Sequence, residues 1–386
     1  MKIAIITTMN SSVWGGSEEL WYKTALMAKA NNHEVLACVQ ERTEDITQIR
    51  QLKKSGIHLI KLPKITFYKG LLIRLYNKFF KLNYYQKFDH KLIEVKRFDP
   101  DVICVSQGGT FDISPNKILY DFLIETSKSI IIICHHNREY GGNFSNEQAK
   151  FEANLFDKAK KIVFVAERNL ETAQRQLAKK IHNSVIVSSP INITNYKFQP
   201  WKISHKLIMA SVGRLETETK GQDILLQALS KDIWRDRAFE LNIYGNGYDE
   251  GYLKRLIKYF NLENKVFLRG HVNEVSNIWK SNHALVLSSS SEGTPLCLVE
   301  AMLSGRTAVA TDVGGVDKYI IHNDTGFLTP FGSVDQMNEA LNTLWLNRNN
   351  LQDMGKRAFT HAMKITDLNP EETLLNIILN QDALIA

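Results

Sequence analysis

The chain has 386 residues, of which 44% are hydrophobic, and 48 Lys+Arg against 41 Asp+Glu leave it at a net +7. That length favours two domains, and the basic balance suits an anionic substrate, a membrane surface or nucleic acid without choosing among them. No run reaches the roughly 18 apolar residues of a spanning helix, and Cys38, Cys104, Cys134 and Cys297 lie far apart with no C-x-x-C or Cys/His spacing, so the sequence argues against a membrane span, a disulfide framework and a thiolate metal centre.

Met1–Thr7 reads as a first strand; it is too short for a secretion signal and lacks a cleavage-like end. A loop with Gly15 and Gly16 follows. Ser17 then opens a helix with Leu20, Trp21, Ala25 and Ala28 inward. Glycines there let a ligand approach the backbone, although a plain βα turn fits the same residues. Residues 33–39 and 57–60 read as the second and third strands.

Residues 61–98 interleave Lys61, Lys64, Lys69, Arg74, Lys78, Lys81, Lys87, Lys91, Lys96 and Arg97 with Phe67, Tyr68, Tyr76, Phe79, Phe80, Tyr84, Tyr85 and Phe88. This suits an anionic membrane surface or a lipid-linked diphosphate. Single-stranded nucleic acid uses similar chemistry. A helix with its aromatics in the core and its lysines in water is the plainer reading.

The strand at 98–105 opens with Asp99-Pro100-Asp101. This imitates a metal-binding D-x-D, but at the start of a strand it is better read as turn chemistry. Residues 106–112 then stand at a carboxyl end, where open α/β sheets bind ligands. Ser129–Cys134 is a buried strand delivering His135 and His136, placed to donate to a hydroxyl or leaving group. Neighbouring histidines are also often structural. Residues 162–165 close the first domain, 1–193.

A polar stretch, 194–206, reads as a linker, and a new βα series restarts at Leu207. Arg214 ends its first strand and Lys220 begins a helix, so both charges reach one sheet edge, a combination suited to a diphosphate. Surface pairing of Arg214 and Lys220 with Glu216 and Glu218 is the alternative. Gly245-Asn246-Gly247 follows another strand, and 266–272 another.

Ala284–Leu287 then leads through a serine run to Glu292-Gly293-Thr294-Pro295 and an apolar helix, Leu296–Leu303. Thr294 is expected as its N-cap, Pro295 as its first residue and Gly305 as its stop. The start of such a helix seats phosphate. Glu300, inside that helix, is costly unless hydrogen-bonded. With Glu292 it could grip hydroxyls on both sides of a seated phosphate, which is the layout of a nucleotide sugar. Residues 311–316 form a strand ending in glycines. A helix over 371–379 ends the chain, giving domains at 207–368 and 369–386.

The E-x7-E pattern from Glu292 to Glu300, with Gly293-Thr294-Pro295 after the first Glu, resembles the retaining glycosyltransferases of group 1, family 4. The Gly15-Gly16 loop, the strand-end His135, the Ser189-Pro190-Ile191-Asn192 turn and Gly213-Arg214-Leu215…Lys220-Gly221 agree with that family in order and spacing. The resemblance implies an α/β GT-B fold. Two doubly wound Rossmann-like domains would face a cleft, and the C-terminal helix would cross back to the first.

It also implies transfer of a sugar from a nucleoside diphosphate sugar to a hydroxyl acceptor, in cell-surface polysaccharide or glycolipid synthesis. Glu292, His135, Arg214 and Lys220 would carry catalysis. Gly15, Gly16, Gly245, Gly293, Thr294, Pro295, Leu296 and Glu300, with the two cations, would hold the donor. No metal or cofactor is expected beyond the nucleotide sugar, and no nucleic acid. The implied location is cytoplasmic, peripheral to the inner membrane face. His136 is the reserve for His135, since the family usually shows one His followed by Asp. A nucleotide-sugar epimerase, a glycogen-type phosphorylase and an idle sugar or nucleotide binder are the rival readings.

Overall fold

A computed structural model describes residues 1–9, 14–41, 46–63, 87–139, 144–193 and 196–379. The chain divides into two compact units, Met1–Pro190 with Asn369–Ala386, and Ile191–Leu368.

In the first unit the order is β1 (Lys2–Thr7), α1 (Gly16–Ala30), β2 (Glu34–Gln40), α2 (Thr47–Lys54), β3 (His58–Leu62), a helix α3 over 87–98 and β4 (Val102–Gln107). There follow α4 (Lys117–Glu125), β5 (Ser129–Cys134), α5 (Asn146–Lys158), β6 (Lys161–Phe164), α6 (Glu167–Leu177) and β7 (Ser184–Ile186). The second unit runs β8 (Leu207–Val212), α7 (Thr217–Lys220), α8 (Gln222–Leu229), β9 (Phe239–Tyr244), α9 (Glu250–Tyr259), β10 (Val266–Gly270), α10 (Val275–Ser281) and β11 (Ala284–Leu287). It continues with α11 (Leu296–Met302), β12 (Thr307–Thr311), α12 (Val316–Tyr319), β13 (Gly326–Thr329), α13 (Val334–Leu346) and α14 (Leu351–Ile365). The last helix, α15 (Pro370–Ile378), belongs to the first unit.

Both sheets are parallel, in the orders β3-β2-β1-β4-β5-β6-β7 and β10-β9-β8-β11-β12-β13. Each reverses direction once, between β1 and β4 and between β8 and β11. Such switch points are where open α/β sheets take ligands, outside the carboxyl ends of the strands. The strands are continuous apolar runs because helices cover both faces. In the first unit one face puts Ile6, Val105, Ile132 and Phe164 against α3, α4 and α5. The other puts Ile3, Ile5, Cys104 and Ile133 against α1, α2 and α15. Leu374, Leu375 and Ile378 of α15 share that core with Leu20 and Trp21, and Thr24 Oγ1 donates to the Glu371 carbonyl at 3.3 Å.

Several details depart from the sequence reading. The short outer strands β7 and β13 carried no signal long enough to mark them. The described residues of 194–206 are anchored on the second unit, not free as a linker: Arg306, fully buried, donates to the carbonyls of Gln199 and Pro200, Trp201 stacks on His283, and Phe198 packs against Gly305. In the basic segment, Phe88, Leu92 and Val95 of α3 are core while Lys87, Lys96 and Arg97 face water, as in the plainer reading. Residues 64–86, where most of the expected aromatic and basic pattern falls, lie outside the described residues.

Asp99 pairs with Lys128, and Asp101 Oδ2 accepts from the Lys2 N–H at 2.7 Å, at the amino end of β4. That is turn and edge chemistry. Cys38, Cys104, Cys134 and Cys297 carry free thiols, and burial pushes each pKa upward. Among the described residues no helix is long and apolar enough to cross a membrane.

Candidate active site

In the second unit the carboxyl edge around the β8/β11 switch point is built from two loops tied together by backbone. The serine run after β11 does the tying. Ser288 Oγ donates to the Lys220 carbonyl at 2.8 Å, Ser290 N–H to the Thr219 carbonyl at 2.9 Å, and Ser290 Oγ to the Glu218 carbonyl at 2.9 Å. Gly221, at φ +60°, lets the loop after α7 pass so close that a Cβ would sit 2.1 Å from the Ser288 carbonyl oxygen. Sutured in this way, the loops bring Lys220 Nζ to 2.6 Å from Glu292 Oε1, with the two side chains only 21% and 11% exposed. A cation and a carboxylate 72 residues apart in sequence thus form one half-buried pair.

Arg214 stands at the end of β8, about half exposed, with its guanidinium 3.2 Å from Glu216 Oε2. Its carbonyl accepts from buried Gln222 Nε2 at 2.7 Å, which fixes the backbone on which the guanidinium swings. The Gly245–Gly247 turn packs directly against this strand end. Gly213 N–H donates to the Tyr244 carbonyl and Leu215 N–H to the Asn246 carbonyl. A Cβ on Gly245, at φ +133°, would lie 1.9 Å from the Gly213 carbonyl oxygen. Gly245 therefore acts here by allowing the Arg214 loop to seat. Asp249 adds a cap, accepting from both N–H and Oγ1 of Thr217 at 2.7 and 2.8 Å.

Glu292 and Gly293 are backed by the loop after β12. Gly315 N–H donates to the Gly293 carbonyl at 2.7 Å, and Gly314, at φ +56°, lies where a Cβ would meet the Glu292 carbonyl oxygen at 2.2 Å. Thr311 Oγ1 donates to the Ser289 carbonyl at 2.6 Å. Helix α11 starts one residue later than expected: Pro295 is its N-cap, at φ −69° and ψ 109°, and Thr294 lies outside it. A proline in that extended setting ends the loop and leaves Leu296 as the first helical residue.

Glu300 is buried on α11 and is not a surface carboxylate. Its Oε1 accepts from the backbone N–H of Asn192 at 3.0 Å, which meets the requirement that a carboxylate in an apolar helix be hydrogen-bonded. The second unit therefore gathers Arg214, Lys220, Gly245, Gly293, Thr294, Pro295, Leu296, Glu292 and Glu300 on the loops and helix that leave β8, β9 and β11. Asn192 was named only within its turn, with no role for its N–H, and three contributors escaped the sequence reading: Gln222, Asp249 and Gly314. Only the glycines after β12 left a trace there, as a strand ending in glycines.

The first unit carries Gly15, Gly16 and His135. Gly15 is the N-cap of α1 in extended backbone, so the helix begins at Gly16, before Ser17. Its first turn already holds two carboxylates. Buried Glu18 accepts from Thr7 Oγ1 at 2.9 Å and from Trp21 Nε1 at 3.0 Å, and Glu19 accepts from Trp14 Nε1 at 2.7 Å. His135, directly after β5, is 6% exposed, and its Nε2 lies 3.2 Å from Ser106 Oγ on β4. Burial pushes its pKa down to about 3, so the imidazole is neutral at physiological pH. His136 is half-buried, and its carbonyl accepts from Thr110 Oγ1 at 2.9 Å. Among the described residues no cluster of His, Cys, Asp and Glu suits a metal ion.

Two parallel, doubly wound sheets with a terminal helix returning to the first unit define the GT-B architecture. The structure superposes on that of Anabaena Alr3699/HepE, crystallised with UDP and glucose, at a TM-score of 0.75, covering 99% of this chain and 100% of that one at 18% identity. Residues 192–361, nearly all of the second unit, match the family described as glycosyl transferases group 1. An uncharacterized glycosyltransferase of Haemophilus influenzae is 32% identical over 166 residues, 43% of this chain and 46% of that protein. The poly(ribitol-phosphate) alpha-N-acetylglucosaminyltransferase of Staphylococcus aureus is 26% identical over 261 residues, 61% of this chain and 52% of that protein. The chain spans about half the length of the curated relatives it matches.

Proposed function

We propose that this chain is a retaining glycosyltransferase that moves a sugar from a nucleoside diphosphate sugar to a hydroxyl acceptor, in the synthesis of a cell-surface polysaccharide or glycolipid. The observation that carries the reading is the Lys220–Glu292 pair, set beside Arg214 at the β8/β11 switch point. Breaking the anomeric C–O bond puts negative charge on the departing diphosphate. Arg214 and Lys220 stabilise it as a fork and a point charge already in place. The two cations supply this charge without a metal. Lys220 exchanges its contact with Glu292 for phosphate oxygens, and the released carboxylate accepts hydroxyl protons of the sugar. Glu300, at the buried end of α11, holds the ribose. Neutral His135 donates to a sugar hydroxyl rather than to phosphate.

Retention follows from attack by the acceptor hydroxyl on the face the diphosphate leaves, through an oxocarbenium-like state, with the hydroxyl proton passing to the departing diphosphate. The relatives named above favour UDP-glucose and UDP-N-acetylglucosamine as first donors to test. A panel of UDP-, GDP- and ADP-sugars should include one that raises the unfolding temperature of the wild-type protein and yields the α- or β-linkage of the donor unchanged in the product. If no nucleotide sugar protects and no sugar is released or moved, the reading is wrong.

We further propose that residues 61–98 bring the enzyme to an anionic membrane surface on the cytoplasmic side, where a lipid-linked acceptor would lie. The basic and aromatic composition of that segment supports this. Sedimentation with phosphatidylglycerol vesicles at low salt, and release at high salt, is the expected result. Absence of sedimentation at low salt would rule it out.

A further inference from the structure

Asn169 is the third residue of α6 and is 1% exposed, yet neither its Oδ1 nor its Nδ2 has a hydrogen-bond partner. A buried carboxamide with neither end satisfied is costly and is uncommon in folded proteins. Helix α6 runs back from the carboxyl end of β6, so its first turn lies at the carboxyl edge of the sheet. The Cα–Cβ bond of a helical residue tilts toward the helix N-terminus, here toward that edge. The adjacent strand is β5, pairing Cys134 with Phe164, and the first residue after β5 is His135. His135 Nδ1 is likewise buried and without a partner. Two side chains at the ends of neighbouring strands thus present unused hydrogen-bonding atoms.

The wall around them is fixed. Asn137 Nδ2 donates to Gln176 Oε1 at 3.0 Å and Gln176 Nε2 to the Arg138 carbonyl at 3.1 Å, so the loop after β5 is bound to α6. Arg168 is committed to Glu139 at 3.7 Å. The two unsatisfied groups are themselves neutral: a carboxamide with one acceptor and two N–H donors, and an uncharged ring nitrogen. That set matches hydroxyl groups, which both donate and accept, and offers no charge to a phosphate.

We propose that Asn169 is a sugar-binding residue of the first unit, taking hydroxyl groups of a neutral carbohydrate at the carboxyl edge of β5 and β6. The inference rests on the glycosyltransferase reading for its reaction, but concerns a residue to which that reading gives no role. The sugar can belong to the donor or to the acceptor.

The test uses the full chain with Asn169→Leu, and Asn169→Ala as a second variant should leucine not fold. Removing an unsatisfied buried amide leaves the unfolding temperature unchanged or raises it, whereas losing its hydroxyl contacts lowers transfer by about 10- to 100-fold. A parallel fall in donor hydrolysis without acceptor assigns the contact to the donor sugar. A raised acceptor KM with hydrolysis unchanged assigns it to the acceptor. Protection of the wild type by glucose or N-acetylglucosamine alone, lost in the variants, supports the site even if no nucleotide sugar proves to be a substrate. A folded variant with wild-type kcat, KM and sugar protection overturns the proposal, and the carboxamide is then satisfied by water alone.

Discussion

Lys220 Nζ and Glu292 Oε1 meet at 2.6 Å across the point where the second sheet reverses its strand order. Each belongs to a loop leaving a different strand, and each is the other's ion-pair partner in a half-buried setting. Removing one leaves the other partly buried without that partner. Lys220→Ala should lower kcat by about 10²- to 10³-fold, as expected for a lost electrostatic stabiliser. In a double-mutant cycle with Glu292→Ala the two should couple by about 1–3 kcal/mol in stability. Additive losses in thermal unfolding would show that the pair is incidental.

The carboxylate of Glu300 accepts the Asn192 N–H, and the proposed function gives it the ribose of the donor as well. Glu300→Gln keeps an oxygen acceptor for Asn192 and should unfold near the wild-type temperature. Glu300→Ala leaves that N–H without this acceptor and should lose about 1–3 kcal/mol. Both should weaken nucleotide binding in titration calorimetry. Equal stability of the two variants would separate Glu300 from the Asn192 turn.

Gly314 makes a prediction from behind the Glu292–Gly293 loop. A methyl group there would face the Glu292 carbonyl oxygen at 2.2 Å, on a backbone at φ +56°. Gly314→Ala must therefore displace the Glu292–Gly293 loop. We expect a lower unfolding temperature and a donor KM raised more than the acceptor KM. Gly332→Ala, at φ +87° but with nothing within 4 Å, carries the backbone strain without the collision and should leave the donor KM unchanged.

Stability should depend on pH through two buried groups of the first unit, with opposite signs. His135 ionises near 3 when folded because burial disfavours the imidazolium. The unfolded chain binds that proton near 6.5, so this contribution is intact above 6.5 and is lost as pH falls toward 3. Burial pushes the Glu152 carboxyl up to about 7, with Asp112 adding to the effect. Its contribution is intact below about 4.5 and is lost as pH rises through 7. Between pH 4.5 and 6.5 the two slopes oppose each other, so urea unfolding at pH 5, 6 and 7.5 should show His135→Gln making stability fall more steeply with rising pH and Glu152→Gln making it rise from pH 5 to 6. If both profiles followed the wild type, neither group would be ionising as assigned.

The alternation of buried strands and helices was legible because it is local. An apolar run such as Ser129–Cys134 can only be a strand covered on both faces, and Gly213 to Gly221 marks a βα loop by its own residues. Short edge strands such as Ser184–Ile186 were not legible, since three residues carry no period. The helix start at Leu296 was misread by one residue because Thr294 and Pro295 each suit two neighbouring positions, and only the backbone of the serine loop chooses.

The sequence by itself determined two α/β units, a cationic strand end in the second and the residues E-x7-E, since each rests on residue types within a few positions of one another. Tertiary structure alone decided which charges are partners. Lys220 meets Glu292 because parallel strands β8 and β11 are neighbours, although 72 residues separate the side chains. Glu300 is tolerated in its helix because a turn 108 residues earlier turns one N–H toward it. Asn169 is buried with its carboxamide lacking a hydrogen-bond partner, a property that depends on everything packed around it and on no residue beside it.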